Sequence, residues 1–304
     1  MAKKERKMKS KRITGFALIT GASKGIGRAL AIECAKNGNN LALVSLPNSG
    51  LQNVKAYISK HYSVIVKTLE IDLSESKAPR KIYRWAREER IQVQILINNA
   101  GIGHLGPFND YSCEFYEKII HLNIESVVLL TKLFLPEIQQ QKKGYILNLG
   151  SLASFYPIPF KIVYAGSKTF IYSFSRALRS ELTNTSVKVS VLCPGPIITS
   201  PEVIERIKQG GFWARVTSMR SQKMANIAIN ALFKGKAVII PGALNKIFIM
   251  VDKFIPGQIK QQILTKKFNV KKKMEIEGSE KPFKNTKLEN AANTQEIKNK
   301  KINV

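Results

Sequence analysis

Seven short apolar runs recur along the chain, separated by longer segments of a different period. The runs are rich in Ile, Val and Leu, which is typical of strands buried on both faces. They read ITGFALIT, NLALVSL, SVIVKTLEI, VQILIN, GYILNLG, VKVSVLC and KAVIIP. The segments between them, such as KTFIYSFSRALRSEL, repeat apolar residues at intervals of three and four, as helices do. This alternation predicts an α/β fold, a doubly wound parallel sheet of Rossmann type with helices on both faces.

The 304 residues, 44% of them hydrophobic, suffice for one sizeable core with tails. We predict a basic N-terminal tail over 1–12, a Rossmann-type domain over 13–241 and an amphipathic extension over 242–269. From 270 to 304 the composition is Lys, Glu, Asn and Thr with few large apolar residues, which predicts disorder.

The extension has an apolar face and a basic one. On one helical face lie Leu244, Ile247, Phe248, Val251, Phe254 and Ile255, with Lys246 and Lys253 among the other positions. A basic amphipathic helix of this kind suits an anionic membrane surface. Packing on the sheet domain, or closing a dimer, would explain the pattern equally well. We therefore keep peripheral membrane contact through 243–268 as one of three readings.

The chain carries a formal net charge of +28, only part of which comes from its tails. This excess suits an anionic ligand, an anionic membrane surface or nucleic acid, and solvated lysines explain it as well. No helix-turn-helix, zinc-finger or RNA-binding signature is present, so we predict no specific nucleic-acid partner. No apolar run is long enough to predict a transmembrane helix, and the run after the basic N-terminus is too short for a signal peptide.

Cysteine and histidine are scarce. Three widely spaced cysteines do not form a disulfide framework, which predicts a reducing, cytoplasmic location with peripheral membrane association as an option. The three histidines show no metal-ligand spacing, so we predict no metal.

The stretch TGASKGIG, residues 20–27, follows the first predicted strand and opens a helix. Its glycines, Gly21, Gly25 and Gly27, allow a tight turn, and the helix start offers free N–H groups to a pyrophosphate. The stretch lacks the Gly-Lys-Ser/Thr ending of a P-loop, which disfavours nucleotide triphosphate hydrolysis.

The end of the second strand bears on cofactor choice. Ser45 and Leu46 stand where an NAD-selecting protein often has an acid for the ribose 2′-hydroxyl. Lys24 in the glycine loop is placed to meet a 2′-phosphate, and its other reading is a solvent-facing lysine. We predict NADP, with NAD as the alternative.

The stretch YAGSK contains a candidate proton-transfer pair. Tyr164 and Lys168 are four residues apart and share a helical face. A nearby ammonium favours the phenolate, so we expect Lys168 to lower the pKa of Tyr164 toward neutrality. Ser151 follows a predicted strand thirteen residues earlier, where its hydroxyl would stabilise charge on a substrate oxygen. Taken without the other motifs, Tyr164 and Lys168 could equally be a contact on a helix surface, and Ser151 could be a helix cap.

These motifs stand in one order along residues 13–241: TGASKGIG, DL at 72–73, NNAG at 98–101, Asn123, GS at 150–151, YAGSK and CPGPIIT at 193–199. In this order they resemble the short-chain dehydrogenase/reductase family, most closely its reductases with a basic amphipathic C-terminal segment. The resemblance implies an NAD(P)-dependent oxidoreductase acting on CH–OH groups. It would reduce a ketone to a secondary alcohol with NADPH, or catalyse the reverse reaction.

The resemblance also assigns residues. The catalytic set is Asn123, Ser151, Tyr164 and Lys168. The cofactor-binding set is Gly21, Ser23, Lys24, Gly25, Ile26, Gly27, Ser45, Asp72, Leu73, Asn99, Ala100, Gly101, Tyr164, Lys168, Pro194, Gly195, Ile197 and Thr199. By the same resemblance, a homo-oligomer pairs through helices at about 112–141 and 162–184. The alternative function is a non-catalytic dinucleotide-sensing module, against which the intact tyrosine, lysine and serine argue.

Aromatic residues suggest the substrate. A segment around Gly210-Gly211 has the character of a mobile lid, and Phe212 and Trp213 would cover a bulky apolar ketone. Phe155, Tyr156 and Phe160 would add to that pocket. We therefore consider a fatty-acyl or sterol-like carbonyl, against the reading that these rings only pack the lid.

Overall fold

All seven apolar runs form strands of one parallel sheet in the computed structural model, which describes residues 15–199, 201–209 and 215–252, with short pieces between 258 and 266. The strands are β1 (Phe16–Thr20), β2 (Asn40–Ser45), β3 (Val66–Glu70), β4 (Val93–Asn98), β5 (Gly144–Leu149), β6 (Val187–Leu192), β7 (Ile197–Ile198), β8 (Met219–Arg220) and β9 (Val238–Ile239). Their order in the main sheet is β3-β2-β1-β4-β5-β6-β9, and β7 pairs separately with β8. The predicted doubly wound fold is confirmed.

Helices follow the strands as predicted. They are α1 (Gly25–Lys36), α2 (Leu51–His61), α3 (Ala78–Glu88), α4 (Cys113–Ile120), α5 (Ser126–Gln139), α6 (Ile162–Glu181), α7 (Pro201–Gln209), α8 (Ser221–Phe233) and α9 (Ala243–Asp252). A π turn, His121–Glu125, joins α4 to α5, and short 3-10 turns occupy Phe108–Asp110 and Leu152–Phe155.

Each strand feeds two cores because successive side chains point to opposite faces. Ile19, Leu43 and Ile97 pack with α1 and α8 on one face. Leu18 and Leu96 pack with α3 and α5 on the other. Burial on both faces explains why these strands read as continuous apolar runs rather than alternating ones.

The strand order reverses beside β1, which pairs with β2 on one side and β4 on the other. Connections leave these strands in opposite directions and open a crevice at their carboxyl ends, where open α/β sheets bind ligands. The motifs found in the sequence at the ends of β1, β4, β5 and β6 therefore lie along one edge of the sheet.

The segment Cys113–Gln139, which runs from α4 through α5, is long and apolar enough to cross a membrane by length and composition alone. The sequence analysis did not assign it that property. A core helix of a soluble protein passes the same test, and here Leu130 and Phe134 are buried in the second core.

Two compact units divide the chain after Gly257. The first contains the sheet and α9, which agrees with the helix predicted after Pro241. On α9, Asn245 and Ile249 are buried while Leu244, Ile247 and Val251 are exposed. Phe254, Ile255, the lid residues 210–214 and both tails (1–12 and 270–304) lie outside the described residues. The predicted domain boundaries stay predictions.

Candidate active site

The glycine loop is shaped by its own backbone. Gly21 and Gly25 adopt positive φ angles of 65° and 57°, a region that L side chains rarely occupy. At Gly27 a Cβ atom would stand only 2.1 Å from the Gly21 carbonyl oxygen. The loop thus closes against the start of α1, whose first N–H groups have no partner within the helix.

The floor of the loop is tied to the end of β4. The Thr20 hydroxyl oxygen accepts the N–H groups of Asn99 and Ala100, each at 3.0 Å. The Asn99 side-chain amide donates to the carbonyls of Thr20 and Gly21, at 2.8 and 3.2 Å. Asn99 Oδ1 is buried without a partner among the described residues, which leaves one acceptor for a ligand. Sequence reasoning missed Thr20, although it opens the glycine motif.

Three serine hydroxyls lie close together at the end of β2, where the sequence analysis placed the residues that select NADP or NAD. Ser45 donates to Ser23 Oγ at 2.7 Å, and Ser49 donates to Ser45 Oγ at 3.1 Å. Lys24 is exposed at the start of α1, and no carboxylate of the described residues forms an ion pair with it. The loop therefore presents hydroxyls and a free ammonium rather than an acid.

Asp72 lies after β3 and keeps its charge. Burial raises the pKa of this carboxyl, but hydrogen bonds from the Ser74 N–H and hydroxyl, with help from Lys118, outweigh burial and lower it. Lys118 Nζ lies 3.7 Å from Oδ2. The neighbouring Leu73 is buried in the second core.

Tyr164 and Lys168 lie one turn apart on α6, as their spacing predicts. Lys168 Nζ is 5.8 Å from the centre of the tyrosine ring and donates to the Leu149 carbonyl at 2.9 Å. The Ser151 side chain lies close enough to Tyr164 to lower the pKa of its phenol. Ser151 also caps the 3-10 turn after β5, accepting the Ala153 N–H at 3.1 Å. Ser151 therefore both caps this turn and lies beside Tyr164, so the structural role and the catalytic role considered for it are compatible.

Asn123 sits in the π turn, where one extra residue aims its side chain at the sheet edge. Its Oδ1 accepts the Ile102 N–H at 2.9 Å, and its amide donates to the Ile102 carbonyl and to Ser167 Oγ. Ser167 in turn donates to the Tyr164 carbonyl at 2.7 Å. A Cβ on Gly101 would meet Asn123 Oδ1 at 2.9 Å and Lys168 Nζ at 3.4 Å. The four predicted catalytic residues are thus brought together.

Burial controls the proton affinities of the pair. It raises the pKa of Tyr164, and Cys193 adds to this, while the nearby Ser151 lowers it. It also lowers the pKa of Lys168 to about 8, against a raising effect of Cys193. The pKa of Tyr164 is therefore raised rather than lowered toward neutrality as expected, because burial of the phenolate is the largest effect and the lowering effect comes from Ser151, not from Lys168. Tyr164 is a protonated phenol at neutral pH.

The loop after β6 closes the site from the other side. The Pro194 carbonyl accepts the Leu152 N–H at 3.0 Å, which ties this loop to the turn after Ser151. Ile197 is buried and pairs with Met219 in the small sheet. Thr199 meets the glycine loop, since a Cβ on Gly25 would lie 3.2 Å from Thr199 Cγ2. The two predicted ends of the cofactor site therefore touch.

Two more supporting residues, besides Thr20, were missed by the sequence analysis. Ser154 accepts the Ser151 N–H at 3.2 Å and donates to the Lys168 carbonyl at 2.8 Å, and the Ser-x-x-Ser spacing was its signal. Asn245 on α9 lies against the loop after β6, with Nδ2 2.9 Å from the position of a Cβ on Gly195. No sequence signal joins Asn245 to a loop fifty residues earlier.

The aromatic residues predicted for the substrate pocket separate. The Phe155 ring packs edge-on against Tyr172 of α6 at 4.9 Å, in a small core cluster with Val191 and Cys193. Tyr156 instead faces α9, its ring 6.1 Å from that of Phe248. The Phe160 carbonyl accepts the Gly106 N–H at 2.9 Å. Phe155 is thus a packing residue, and Phe212 and Trp213 lie outside the described residues.

This edge of the sheet fits a dinucleotide. The glycine turn brings backbone close to a pyrophosphate, the start of α1 supplies N–H donors, and Asn99 Oδ1 offers an acceptor. The Ser151–Tyr164 pair stands at the far end, beside the loop that starts at Pro194.

Comparisons with known proteins agree with this geometry. Residues 15–208 match the family model described as short chain dehydrogenase. A very-long-chain 3-oxoacyl-CoA reductase of Anas platyrhynchos is 34% identical over 199 residues, covering 63% of this chain and 62% of that protein. A 17-beta-hydroxysteroid dehydrogenase type 3 of Mus musculus is 34% identical over 192 residues, covering 60% of each.

A solved short-chain dehydrogenase from Sphingobium yanoikuyae, in complex with NADPH, shares 27% identity and a TM-score of 0.66. It covers 80% of this chain and 96% of its own. The chain thus spans less than two thirds of the length of the two curated relatives but nearly all of this smaller structure. With a family model that matches from β1 into α7 and a sheet edge carrying every motif in order, the chain belongs to the short-chain dehydrogenase family.

Proposed function

We propose that this protein is an NADP-linked oxidoreductase that reduces a ketone to a secondary alcohol, or catalyses the reverse reaction. The observation that carries the proposal is that the fold brings Ser151, Tyr164 and Lys168 together: Ser151 acts on the pKa of the Tyr164 phenol, and Lys168 Nζ lies 5.8 Å from the tyrosine ring. A dinucleotide-sensing module on the same fold has no need of this arrangement.

In the reductive direction the phenol is the proton donor. Burial keeps Tyr164 protonated at neutral pH, so it hydrogen-bonds a substrate carbonyl oxygen and transfers its proton to that oxygen as charge develops there. Ser151 donates a second hydrogen bond to the same oxygen. NADPH, when bound, supplies the hydride to the carbonyl carbon. Asn123 and Ser167 hold α6 and therefore the tyrosine in register.

The end of β2 supports NADP over NAD. An NAD-selecting acid is replaced by Ser45 in a hydroxyl cluster with Ser23, and the exposed Lys24 is placed to meet a 2′-phosphate. The Sphingobium relative, which is described in complex with NADPH, points the same way. NAD stays the alternative.

The substrate we propose is a bulky apolar ketone, fatty-acyl or sterol-like. Relatives named very-long-chain 3-oxoacyl-CoA reductase and 17-beta-hydroxysteroid dehydrogenase support this class. So does Tyr156, which follows the catalytic serine closely and turns its ring to the exposed Phe248. A cytoplasmic location, peripheral membrane contact through 243–268 and a homo-oligomer paired through α4–α5 and α6 belong to the same proposal.

The test is a Tyr164→Phe variant on a panel of short and long-chain ketones, with NADPH and with NADH. Loss of the proton donor is expected to lower kcat by about 10²-fold or more, because general acid catalysis contributes that much. Consumption of reduced nicotinamide measures the rate, and NADPH binding, followed by fluorescence, is expected to persist. NADPH should be preferred to NADH.

Tyr172→Phe is the matched control. It removes a hydroxyl from the same helix, where Tyr172 packs on Phe155 and its hydroxyl contacts Arg176. The control is expected to keep wild-type activity. Full activity in Tyr164→Phe, or no turnover of any carbonyl by the wild type, contradicts the proposal.

A further inference from the structure

A cleft opens at the amino ends of β5 and β6, at the edge of the sheet opposite the candidate active site. The length of β5, about 20 Å for its six residues, lies between Lys143 before this strand and Ser151 after it. The cleft has a volume of about 190 Å³, which is below the roughly 300–1,000 Å³ of typical ligand pockets. It therefore suits a small ligand and is too small for a dinucleotide.

Three lysines from three parts of the chain line this cleft. Lys143 precedes β5, Lys188 lies on β6, and Lys234 follows α8. All three are exposed, and none of them forms an ion pair with a carboxylate in the described part of the chain. None of the residues that line the cleft is acidic. Positive charges that share a cleft without a counter-charge attract anions, so the lining predicts an anionic ligand.

Tyr145 adds a buried hydrogen-bond donor to these charges. The side chain is only 6% exposed, lies beside Lys188 in the register of β5 and β6, and packs edge-on against the Phe233 ring at 5.2 Å. It lines the cleft, and its hydroxyl has no hydrogen-bond partner among the residues that the structure describes. Burial raises the pKa of this phenol, so it stays protonated and able to donate. Because buried tyrosine hydroxyls usually find a partner, this one is available to a ligand in the cleft.

The floor of the cleft does not oppose an anion. Gly235 adopts a φ angle of 68°, and Lys188 packs over it, since a Cβ on Gly235 would lie 3.5 Å from Lys188 Cγ. The carboxyl end of α8 carries the negative end of the helix dipole, which by itself would repel an anion. Arg179 Nη2 donates to the Gly235 carbonyl at 2.8 Å, so a guanidinium lies at this helix end and offsets the dipole.

We propose that this cleft binds a phosphate dianion, free or as part of a small phosphate monoester, at a site separate from the cofactor. Lysine ammonium groups bind phosphate oxygens as point charges, and the Tyr145 hydroxyl adds a directed hydrogen bond. The site does not depend on the proposed function, because no residue of the cleft belongs to the predicted catalytic or cofactor-binding sets. A bound anion would stabilise the folded state by mass action.

The test is a titration of the full chain with inorganic phosphate at constant ionic strength, followed by calorimetry and by the change in Tm. It is run with and without saturating NADPH, so that binding at the glycine loop is recognised. We expect saturable binding that NADPH does not displace, and a higher Tm in phosphate. Lys188→Gln is expected to weaken phosphate binding about tenfold or more, because it removes a hydrogen bond between charged groups.

Tyr145→Phe tests the phenol separately. It keeps every charge and the packing on Phe233, and it is expected to weaken phosphate binding about tenfold through the lost hydrogen bond to an anion. The salt dependence of the remaining binding should match that of the wild type, whereas Lys188→Gln should reduce this dependence. Lys60→Gln, at an exposed lysine on α2, is the matched control and should bind phosphate as the wild type does.

Glycerol 3-phosphate distinguishes the two forms of the ligand. Tighter binding than that of inorganic phosphate identifies a phosphate monoester as the ligand, and equal or weaker binding identifies the free ion. Absence of saturable phosphate binding, its displacement by NADPH, or wild-type affinity in both Lys188→Gln and Tyr145→Phe overturns the inference. Phosphate binding at the cleft in a protein that reduces no ketone would overturn the proposed function and leave this site standing.

Discussion

At the scale of single residues, burial decides the chemistry of the catalytic pair. Tyr164 and Lys168 share a helical face, which their spacing alone predicts. Their proton affinities depend on surroundings that come from β5, β6 and the turn at Ser151. Desolvation penalises the charged form of each side chain. The pKa of Tyr164 is therefore raised, so the phenol stays protonated, and the pKa of Lys168 is lowered, so the ammonium loses its proton more easily.

Lys168 should leave a pH signature in stability. Its pKa is about 8 in the fold and near 10.4 in an unfolded chain, so the unfolded chain binds more protons between those values. The contribution of Lys168 to the free energy of unfolding is therefore complete above about pH 10 and is lost as the pH falls through about 8. We expect the free energy of unfolding of the wild type to rise relative to Lys168→Met from about pH 8 to about pH 10. Urea denaturation across this range measures it.

Lys234→Met, which removes an exposed lysine at the end of α8, is the control and should track the wild type. If Lys168→Met shows the same pH dependence as the wild type, the lysine is not perturbed by burial as described.

At the scale of elements, the strands and the glycine loop were predictable and the irregular pieces were not. The seven strands of the main sheet could be predicted because most of them are buried on both faces, which requires unbroken apolar runs in the sequence. The π turn at His121–Glu125 and the short strands β7 and β8 were not predicted, because one extra residue in a helix changes no period and these two strands lie outside the seven apolar runs. These pieces nevertheless place Asn123 and Ile197.

The start of α1 gives an element-scale prediction. Gly27→Ala puts a methyl group about where the Gly21 carbonyl already stands, so the loop or the helix must move. Overpacking of this kind typically costs about 1–3 kcal/mol, and it should also abolish tight NADP binding. Chemical denaturation and nucleotide titration measure the two effects.

Gly166→Ala is the control on α6, where the added Cβ meets no heavy atom of the described residues within 4 Å apart from its chain neighbours and its own helix backbone. It should stabilise the protein by about 0.4–1 kcal/mol, through a less flexible unfolded chain. Equal stability of Gly27→Ala and the wild type would show that the glycine loop relaxes freely.

At the scale of the whole molecule, outward-facing apolar groups raise the question of assembly. Phe170 on α6 is 42% exposed, and its ring stacks with Phe174 at 6.0 Å. Ile120, at the end of α4, is exposed as well. These residues lie on the helices through which the family resemblance implies pairing, and that pairing is part of our proposal for the molecule.

Phe170→Glu is expected to shift the protein from oligomer to monomer, because it places a charge in a face that pairing would bury. Sedimentation velocity reports the change, and Ile65→Glu serves as the control at a distant exposed isoleucine. A monomeric wild type, or an unchanged oligomer in Phe170→Glu, contradicts pairing through this face.

The sequence by itself determined the sheet, the glycine turn and the juxtaposition of Tyr164 with Lys168, because each depends on a local period or on backbone freedom within a few residues. Only the tertiary structure decided three other features. These are the direction of the Tyr164 pKa shift, the hydrogen bond from Lys168 to the Leu149 carbonyl, and the packing of Asn245 on Gly195. Those features join residues far apart in the chain, and desolvation depends on everything that folds around a group. A local sequence pattern therefore cannot show how strongly a side chain will be desolvated in the folded protein.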